Sequence, residues 1–480
     1  MQFDFDKQSR KKIIEYVFDK LEDYYSSTKE RTTNPELNIK DIRESLLSQE
    51  LANGIHPEKA IDHIINGLEK YSVHTPHPKY FGLFNPRSNY AGIMADLITA
   101  TYNPQLAGWS HAPFAVEVED LLIREFANKF GYQTERADGV FTTGGAEANL
   151  TAILCALNHK YPALASEGMF SIDKKPIIFC SQEAHHSIQK AVKVVGLGTN
   201  LIKAIPINSH LKMDIAILQQ ELEKLDYSVY DPLMIIGTAG TTGTGAIDNL
   251  VELNEIAKYH NLWFHVDAAF GGGAVLSDDL KVHLKGIEDS DSITFDAHKW
   301  MSVPMGASIF LTSKNDVLNK TFEINTEYMP KDADKLKVTQ PFTHSIQWSR
   351  RFMGLKLYLS LLTYGWEGYE QIINHQSDMA RYLKSQLLKN AWVIRNHTDL
   401  PVVCFTKEEF EQDPKFTEQI MSNILKNRKS WLSLYPINGI STFRACITNY
   451  NTTKIEIDEL VNELNMEVDS FVTEMHPKHW

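Results

Sequence analysis

Ile13, Ile14, Val17, Phe18 and Leu21 recur at helical spacing among charged neighbours, which predicts an amphipathic helix with one apolar stripe near the start of the chain. A stripe of that kind needs a surface to cover it. Between about 55 and 130, helical patterns mix with an irregular stretch, His74-Thr75-Pro76-His77-Pro78-Lys79-Tyr80-Phe81, read as an ordered loop because proline interrupts helix. From about 140 to 312 short apolar runs alternate with helical patterns. The runs are Pro176 to Phe179, Leu233 to Ile236, Leu262 to Val266, Ser292 to Phe295 and Ala307 to Leu311. Such alternation predicts an α/β domain with a mostly parallel sheet covered on both faces, and ligands in such sheets bind beyond the carboxyl ends of the strands. After Arg350-Arg351 the pattern is helical to about 390. A strand at Pro401 to Phe405, a helix near Phe416 to Lys426 and a strand near Ser441 to Thr448 then predict a smaller α+β domain. The chain thus divides into an N-terminal helical segment (1–80), a large α/β domain (81–350) and a small C-terminal α+β domain (351–480). No internal repeat interrupts this reading.

With 480 residues the chain exceeds one ordinary hydrophobic core and has room for a deep site. Its net charge of -13 is spread along the sequence, which argues against a nucleic-acid surface. Cys155, Cys180, Cys404 and Cys446 show no metal-ligand or disulfide-motif spacing, so no metal site is expected and a reducing cytoplasm fits best. The acidic start, Met1-Gln2-Phe3-Asp4-Phe5-Asp6, is unlike a signal peptide, and no window approaches the roughly 18 apolar residues of a membrane span.

The chemistry-bearing words sit at the ends of the apolar runs. Thr142-Thr143-Gly144-Gly145-Ala146-Glu147-Ala148-Asn149 leads from a turn into a helix that starts near Ala146. Small residues there let backbone N–H groups approach a phosphate at a helix N-terminus, although Gly-Gly before a helix is also simply a turn. Leu262 to Val266 ends in Asp267, whose carboxylate suits a protonated pyridine nitrogen, a helix cap or a metal. Ser292 to Phe295 ends in Asp296-Ala297-His298-Lys299-Trp300. A lysine among apolar and aromatic neighbours is suited to carbonyl condensation, and a lysine after a strand is otherwise a surface residue. Asp267 and Lys299, 32 residues apart, fit one strand-helix-strand step. Ile177 to Cys180 leads to Ala184-His185-His186, where an imidazole can lie flat on an aromatic cofactor or serve as a hydrogen-bonded structural residue. Leu233 to Ile236 leads to Thr238-Ala239-Gly240-Thr241-Thr242-Gly243, hydroxyls and glycines suited to a small anion.

In this order along the chain, these words resemble the group II pyridoxal 5′-phosphate (PLP) dependent amino-acid decarboxylases, which include the aromatic-L-amino-acid, glutamate and diaminobutyrate enzymes. The resemblance runs from His77-Pro78-Lys79-Tyr80-Phe81 through Ala184-His185, His265-Val266-Asp267-Ala268-Ala269 and His298-Lys299-Trp300 to Phe443-Arg444. It implies the PLP-dependent transferase fold type I (aspartate aminotransferase-like), a homodimer with sites at the interface, and the N-terminal helix packed on the partner. It further implies that Lys299 carries the cofactor as a Schiff base, Asp267 pairs with the pyridine nitrogen and His185 stacks on the ring. Gly145 and Ala146 would hold the phosphate, with Thr242, Asp296 and His298 also in the cofactor shell. Phe81, Phe84 and Trp109 fall in stretches that line the family's substrate pocket or its dimer interface, and Arg444 matches an arginine near the active site. The implied reaction is loss of carbon dioxide from an L-amino acid, with an aromatic or apolar side chain favoured.

Two positions depart from the pattern. Aromatic-amino-acid and glutamate decarboxylases carry a proton-donating tyrosine shortly before the Arg-Arg word, and Lys337 to Ser345 has none. The position falls on Thr339 or Pro341, with His344 as a candidate substitute and Tyr328 as the nearest upstream tyrosine. In related enzymes, losing this tyrosine favours an aldehyde-forming oxidative deamination. Asp296 stands where the aromatic-specific enzymes have asparagine, so it needs a compensating donor, a proton, or an orientation away from the phosphate. Asn85 and Pro86 also differ, which keeps a diamino or acidic substrate open. An aminotransferase and a non-catalytic protein that retains the fold are the remaining alternatives.

Overall fold

The computed structural model describes residues 3–49, 51–324 and 336–475. Its centre is a seven-stranded sheet of β1 (Asp138–Thr142), β2 (Lys175–Ser181), β3 (Ile202–Ile205), β4 (Tyr230–Thr238), β5 (Trp263–Asp267), β6 (Ser292–Asp296) and β7 (Ser308–Thr312), in the order β1-β7-β6-β5-β4-β2-β3. Only β7 runs against the others. The carboxyl ends of the remaining six therefore share one edge. The five runs read from the sequence are β2, β4, β5, β6 and β7. β1 begins with Asp138-Gly139, and β3 is a short edge strand with Lys203 half-buried and Ala204 exposed, so neither presents a long apolar run.

β5, β6 and β7 are buried at every position, which explains continuous apolar runs in place of alternation. On one face the helix Gly145–Lys160 lays Ala148, Ala152 and Ala156, four residues apart, against Ile178, Ile236 and Phe310. Their small side chains let the helix lie close to the sheet. On the other face the helices Pro113–Lys129 and Leu250–Tyr259 pack Val116, Phe126, Leu250 and Leu253 over Ile235, Phe264 and Phe295. The N-terminus of Gly145–Lys160 and the strand ends beside it are thereby held by one rigid core.

A second, antiparallel sheet has the order β10-β11-β9-β8, from β8 (Val393–Ile394), β9 (Val402–Thr406), β10 (Ser433–Ile437) and β11 (Ile440–Cys446). β10 and β11 are joined at Asn438 (φ 51°) and Gly439 (φ 82°), both left-handed, as a tight hairpin requires. The long helix Gly354–Lys389 links the two cores: Leu357 packs in the first, while Leu383 and Leu387 pack in the second. It breaks at Gly365 (φ 64°, ψ 177°).

The Pro-rich stretch is an ordered loop, as the sequence indicates. Asn449 Nδ2 donates to the carbonyls of Pro76 (3.0 Å) and His77 (3.1 Å), and Thr452 Oγ1 donates to that of Pro78 (2.7 Å). The first helix, Lys7–Ser27, has no fully buried residue, and Ile14 and Leu21 remain exposed on the single chain.

Candidate active site

At the shared strand edge lies a cavity of about 200 Å³. Gly145, Ala146, His185, Thr242, Asp267, Asp296 and Lys299, all marked in the sequence, line it together with Asn149, Thr238, Ala269 and Phe270. The topology makes this convergence: Thr238, Asp267 and Asp296 end the neighbouring strands β4, β5 and β6, and Ser308 opens β7 opposite Asp296.

Lys299 follows β6 on the short helical turn Ala297–Trp300, with Trp300 buried behind it. Its Nζ lies 2.9 Å from Asp296 Oδ2, and the Ser308 hydroxyl donates to Asp296 Oδ1. Asp296 therefore faces the cavity, and the compensating donors that its carboxylate requires are Ser308 and Lys299. Gly145 is needed here because a Cβ on it would sit 2.9 and 3.1 Å from the Asp296 oxygens. His298 does not line the cavity. It is buried beside Asp296 (Nε2 to Oδ2, 3.9 Å), with Nδ1 against the backbone of Ala307, and burial pushes its pKa down.

Asp267 is 5% exposed and sits in a hydrogen-bond network. Its Oδ1 accepts from the Ala269 N–H (3.1 Å) and its Oδ2 from Asn149 Nδ2 (2.9 Å). Asn149 also donates to Ser187 Oγ (2.9 Å) and accepts from Thr294 Oγ1 (2.8 Å), while its Oδ1 lies 3.0 Å from His265 Nε2. His185 takes the Ser187 N–H on Nδ1 (3.2 Å), so in the neutral ring Nε2 carries the hydrogen. Burial lowers the His185 pKa, against the pull of Asp267. A neutral imidazole suits stacking against an electron-poor ring.

The candidate phosphate cradle is the N-terminus of Gly145–Lys160. The N–H groups of Glu147 and Ala148 donate to Gly144 O, which leaves those of Gly145 and Ala146 as orphan donors of the first turn. Glu147 turns back to accept from both the N–H (2.9 Å) and the hydroxyl (2.6 Å) of Thr143, and Gln347 Nε2 donates to its other oxygen (2.6 Å). Its charge is thus occupied outside the cradle. Thr238 Oγ1, on the cavity wall, is buried with no hydrogen-bond partner among the described residues.

The substrate-side readings fare unevenly. Phe81 is fully buried in the core of the second sheet and bonds through its N–H to Trp431 O (2.8 Å), so packing, and no pocket, explains it. Phe84 lies one layer behind the wall: it stacks on Phe270 at 3.7 Å, and Phe270 stacks on Trp300 at 5.3 Å. Trp109 is not among the lining residues, and its indole donates to Glu117 Oε1 (2.8 Å). Arg444 is buried over the Phe84 ring (4.9 Å), and donates from Nε to Gly243 O (3.1 Å) and from Nη1 to Gly82 O (3.1 Å). Its Nη2 is buried without a partner among the described residues. His344 does not fit the proton-donor role within one chain. Its Nε2 lies 3.4 Å from Asp138, at the end of β1 opposite the cavity edge. Thr339 donates to Asp120 Oδ2 (2.9 Å), whose pKa burial pushes up to about 6. Tyr328 lies outside the described residues.

Asn149, Ser187, Phe270 and Ser308 join the site without a signal of their own in the sequence. The first three stand within or beside the marked words, whereas nothing near Ser308 signals its role. The Asn438-Gly439 hairpin had a legible signal in its dipeptide.

A lysine and a carboxylate at adjacent strand ends, an amide-lined helix N-terminus and an unpartnered hydroxyl together fit PLP. The fold is the PLP-dependent transferase fold type I, and PLP is the cofactor. A family profile described as the pyridoxal-dependent decarboxylase conserved domain matches residues 43–408, and the chain belongs to that family. It is 25% identical over 453 residues to an aromatic-L-amino-acid decarboxylase of Bacillus atrophaeus, covering 93% of this chain and 92% of that protein. Among solved structures, Oryza sativa TDC with PLP and tryptamine superposes with a TM-score of 0.92 at 21% identity, covering 98% of this chain and 100% of that one. Rhodiola rosea 4-hydroxyphenylacetaldehyde synthase superposes at 0.88 with 22% identity, covering 97% and 99%. Among the described residues no helix is long and apolar enough to cross a membrane.

Proposed function

We propose that the protein removes the carboxylate of an L-amino acid with an aromatic or apolar side chain, releasing carbon dioxide and the amine. The observation that carries the substrate preference is Phe270 on the cavity wall, backed by Phe84 and Trp300 as a continuous aromatic stack. The name of the Bacillus atrophaeus relative points the same way.

When bound, PLP supplies an electron sink for the carbanion left by the departing carboxylate. Lys299 would supply the amine that holds the cofactor, and the Asp296 carboxylate 2.9 Å from its Nζ would accept a hydrogen bond or a proton from it. Asp267 would hold a proton on the ring nitrogen, and the amides of Gly145 and Ala146 would take the phosphate. His185, neutral and held through Nδ1, would pack on the cofactor ring and help orient the substrate for loss of its carboxylate. Arg444, buried over Phe84 one layer behind the wall, supports that aromatic stack and so positions Phe270.

A second reading is favoured by one observation: Lys337 to Ser345 contains no tyrosine, and His344 is docked on Asp138. In that reading oxygen and water are consumed, and aldehyde, ammonia and hydrogen peroxide accompany the carbon dioxide, oxygen being the two-electron acceptor. The protein works as a cytoplasmic homodimer, with 1–80 on the partner, 81–350 around the cofactor and 351–480 as the small domain. The partly bare stripe of Lys7–Ser27 and the four buried free cysteines support this. The test is to supply the common L-amino acids to PLP-loaded protein and quantify carbon dioxide, amine, aldehyde, keto acid and oxygen uptake. Amine equal to carbon dioxide is expected for aromatic substrates. Keto acid without carbon dioxide overturns the proposal.

A further inference from the structure

Asp267 is buried, and its network has a direction that can be worked out atom by atom. The Trp263 indole can only donate, and it does so to Ser292 Oγ at 2.8 Å. Ser292 keeps its own hydrogen to give, and His265 Nδ1 lies 2.8 Å away as the acceptor. That leaves the His265 hydrogen on Nε2, facing Asn149 Oδ1 at 3.0 Å. An amide oxygen only accepts, so Oδ1 takes bonds from His265 and from Thr294 Oγ1 (2.8 Å). Asn149 Nδ2 then gives one hydrogen to Ser187 Oγ and one to Asp267 Oδ2, each at 2.9 Å. Burial pushes the His265 pKa down to about 4, which agrees with a neutral ring. A second ring proton would leave the Ser292 hydroxyl without its acceptor.

We propose that Asn149 and His265 are positioning residues that hold Asp267 as an acceptor-only carboxylate toward the ring nitrogen of PLP. This rests on the assignment of Asp267 to that nitrogen. A carboxylate in a dry cavity takes up a proton unless donors face it. Here Asn149 Nδ2 and the Ala269 N–H face it, and neither can surrender a proton at neutral pH. His265 sets which way Asn149 points, because a flipped amide would turn Nδ2 toward the Nε2–H and the Thr294 hydroxyl, and Oδ1 toward the carboxylate. The proton shared across Asp267 therefore comes from the cofactor side.

The test uses holoenzyme loaded with PLP carrying ¹⁵N in the ring, with the ring-nitrogen resonance followed against pH by solid-state NMR. Wild type, Asn149→Ala, His265→Leu, His265→Gln and Asp267→Ala are compared. Asn149→Ala is expected to lower the pH at which the ring nitrogen loses its proton by about one unit or more, the loss of one hydrogen bond to a charged group. His265→Leu moves it the same way, and His265→Gln, which can place an N–H near the Nε2 position, returns it toward wild type. A residue that served only the fold would not give this rescue. If Asn149→Ala titrates as wild type while Asp267→Ala is shifted, the proposal is overturned. If Asp267→Ala also titrates as wild type, the assignment of Asp267 itself fails. Should Asn149→Ala not fold, the two His265 variants decide by the same readout, and an unshifted His265→Leu overturns the proposal.

Discussion

Gly145→Ala tests the packing of the cofactor site at its tightest point. The added Cβ would meet Asp296 Oδ2 at 2.9 Å, Asp296 Oδ1 at 3.1 Å and Ala269 Cβ at 3.4 Å. Asp296 is poorly placed to yield, since Ser308 holds one oxygen and Lys299 the other. In the cofactor-free protein the strain has an outlet, because the Lys299 side chain is 26% exposed and can release Asp296 toward water. With PLP in place Lys299 and Asp296 are both confined, so the strain is expressed on binding. Forced shifts in a packed interior cost about 1–3 kcal/mol, which corresponds to PLP binding weakened about 5- to 150-fold. The assay is titration of PLP into cofactor-free protein by absorbance, with thermal melting of the same protein as the control for folding. A variant that melts like wild type and binds PLP within about twofold of wild type would refute the steric reasoning.

Lys299→Ala is expected to lose the visible cofactor absorption and to slow carbon dioxide release on the order of 10³-fold or more, measured by trapped gas; retained turnover contradicts the assignment. His265 makes stability depend on pH: its folded pKa of about 4 lies below the ordinary 6.5, so the folded state binds fewer protons between those values. Its contribution is present above pH 6.5 and is lost as pH falls toward 4, at about 1 kcal/mol per pH unit, so denaturant unfolding of His265→Gln should show a shallower pH slope there than wild type. Equal slopes count against a buried neutral His265. Gly365→Ala places a side chain in a φ 64°, ψ 177° conformation with nothing within 4 Å of the new Cβ. It should cost about 1–3 kcal/mol of stability through the backbone alone, lowering the melting temperature while leaving PLP affinity unchanged.

The α/β character, the five buried strands and the strand-end words were legible because each is carried by contiguous residues. A parallel strand buried on both faces must be apolar throughout, and its polar end must face the ligand edge, so Asp267, Asp296 and Lys299 could be marked without coordinates. What the words could not convey is which side chains meet across the sheet. Ser308 reaches Asp296 only because β7 pairs with β6 in that register, and His265 reaches Asn149 only because a helix crosses the strand there. Phe81 is fully buried where a pocket residue was expected, because the second sheet claims it, and His344 is spent on Asp138. The cofactor chemistry was readable from the chain alone, since an amine, a carboxylate and a Gly-rich helix start keep their chemical meaning wherever they lie. The tertiary structure alone decided the direction of the hydrogen-bond chain behind Asp267 and the partner of Asp296. Those depend on contacts between residues 12 to 145 positions apart, which no local pattern encodes.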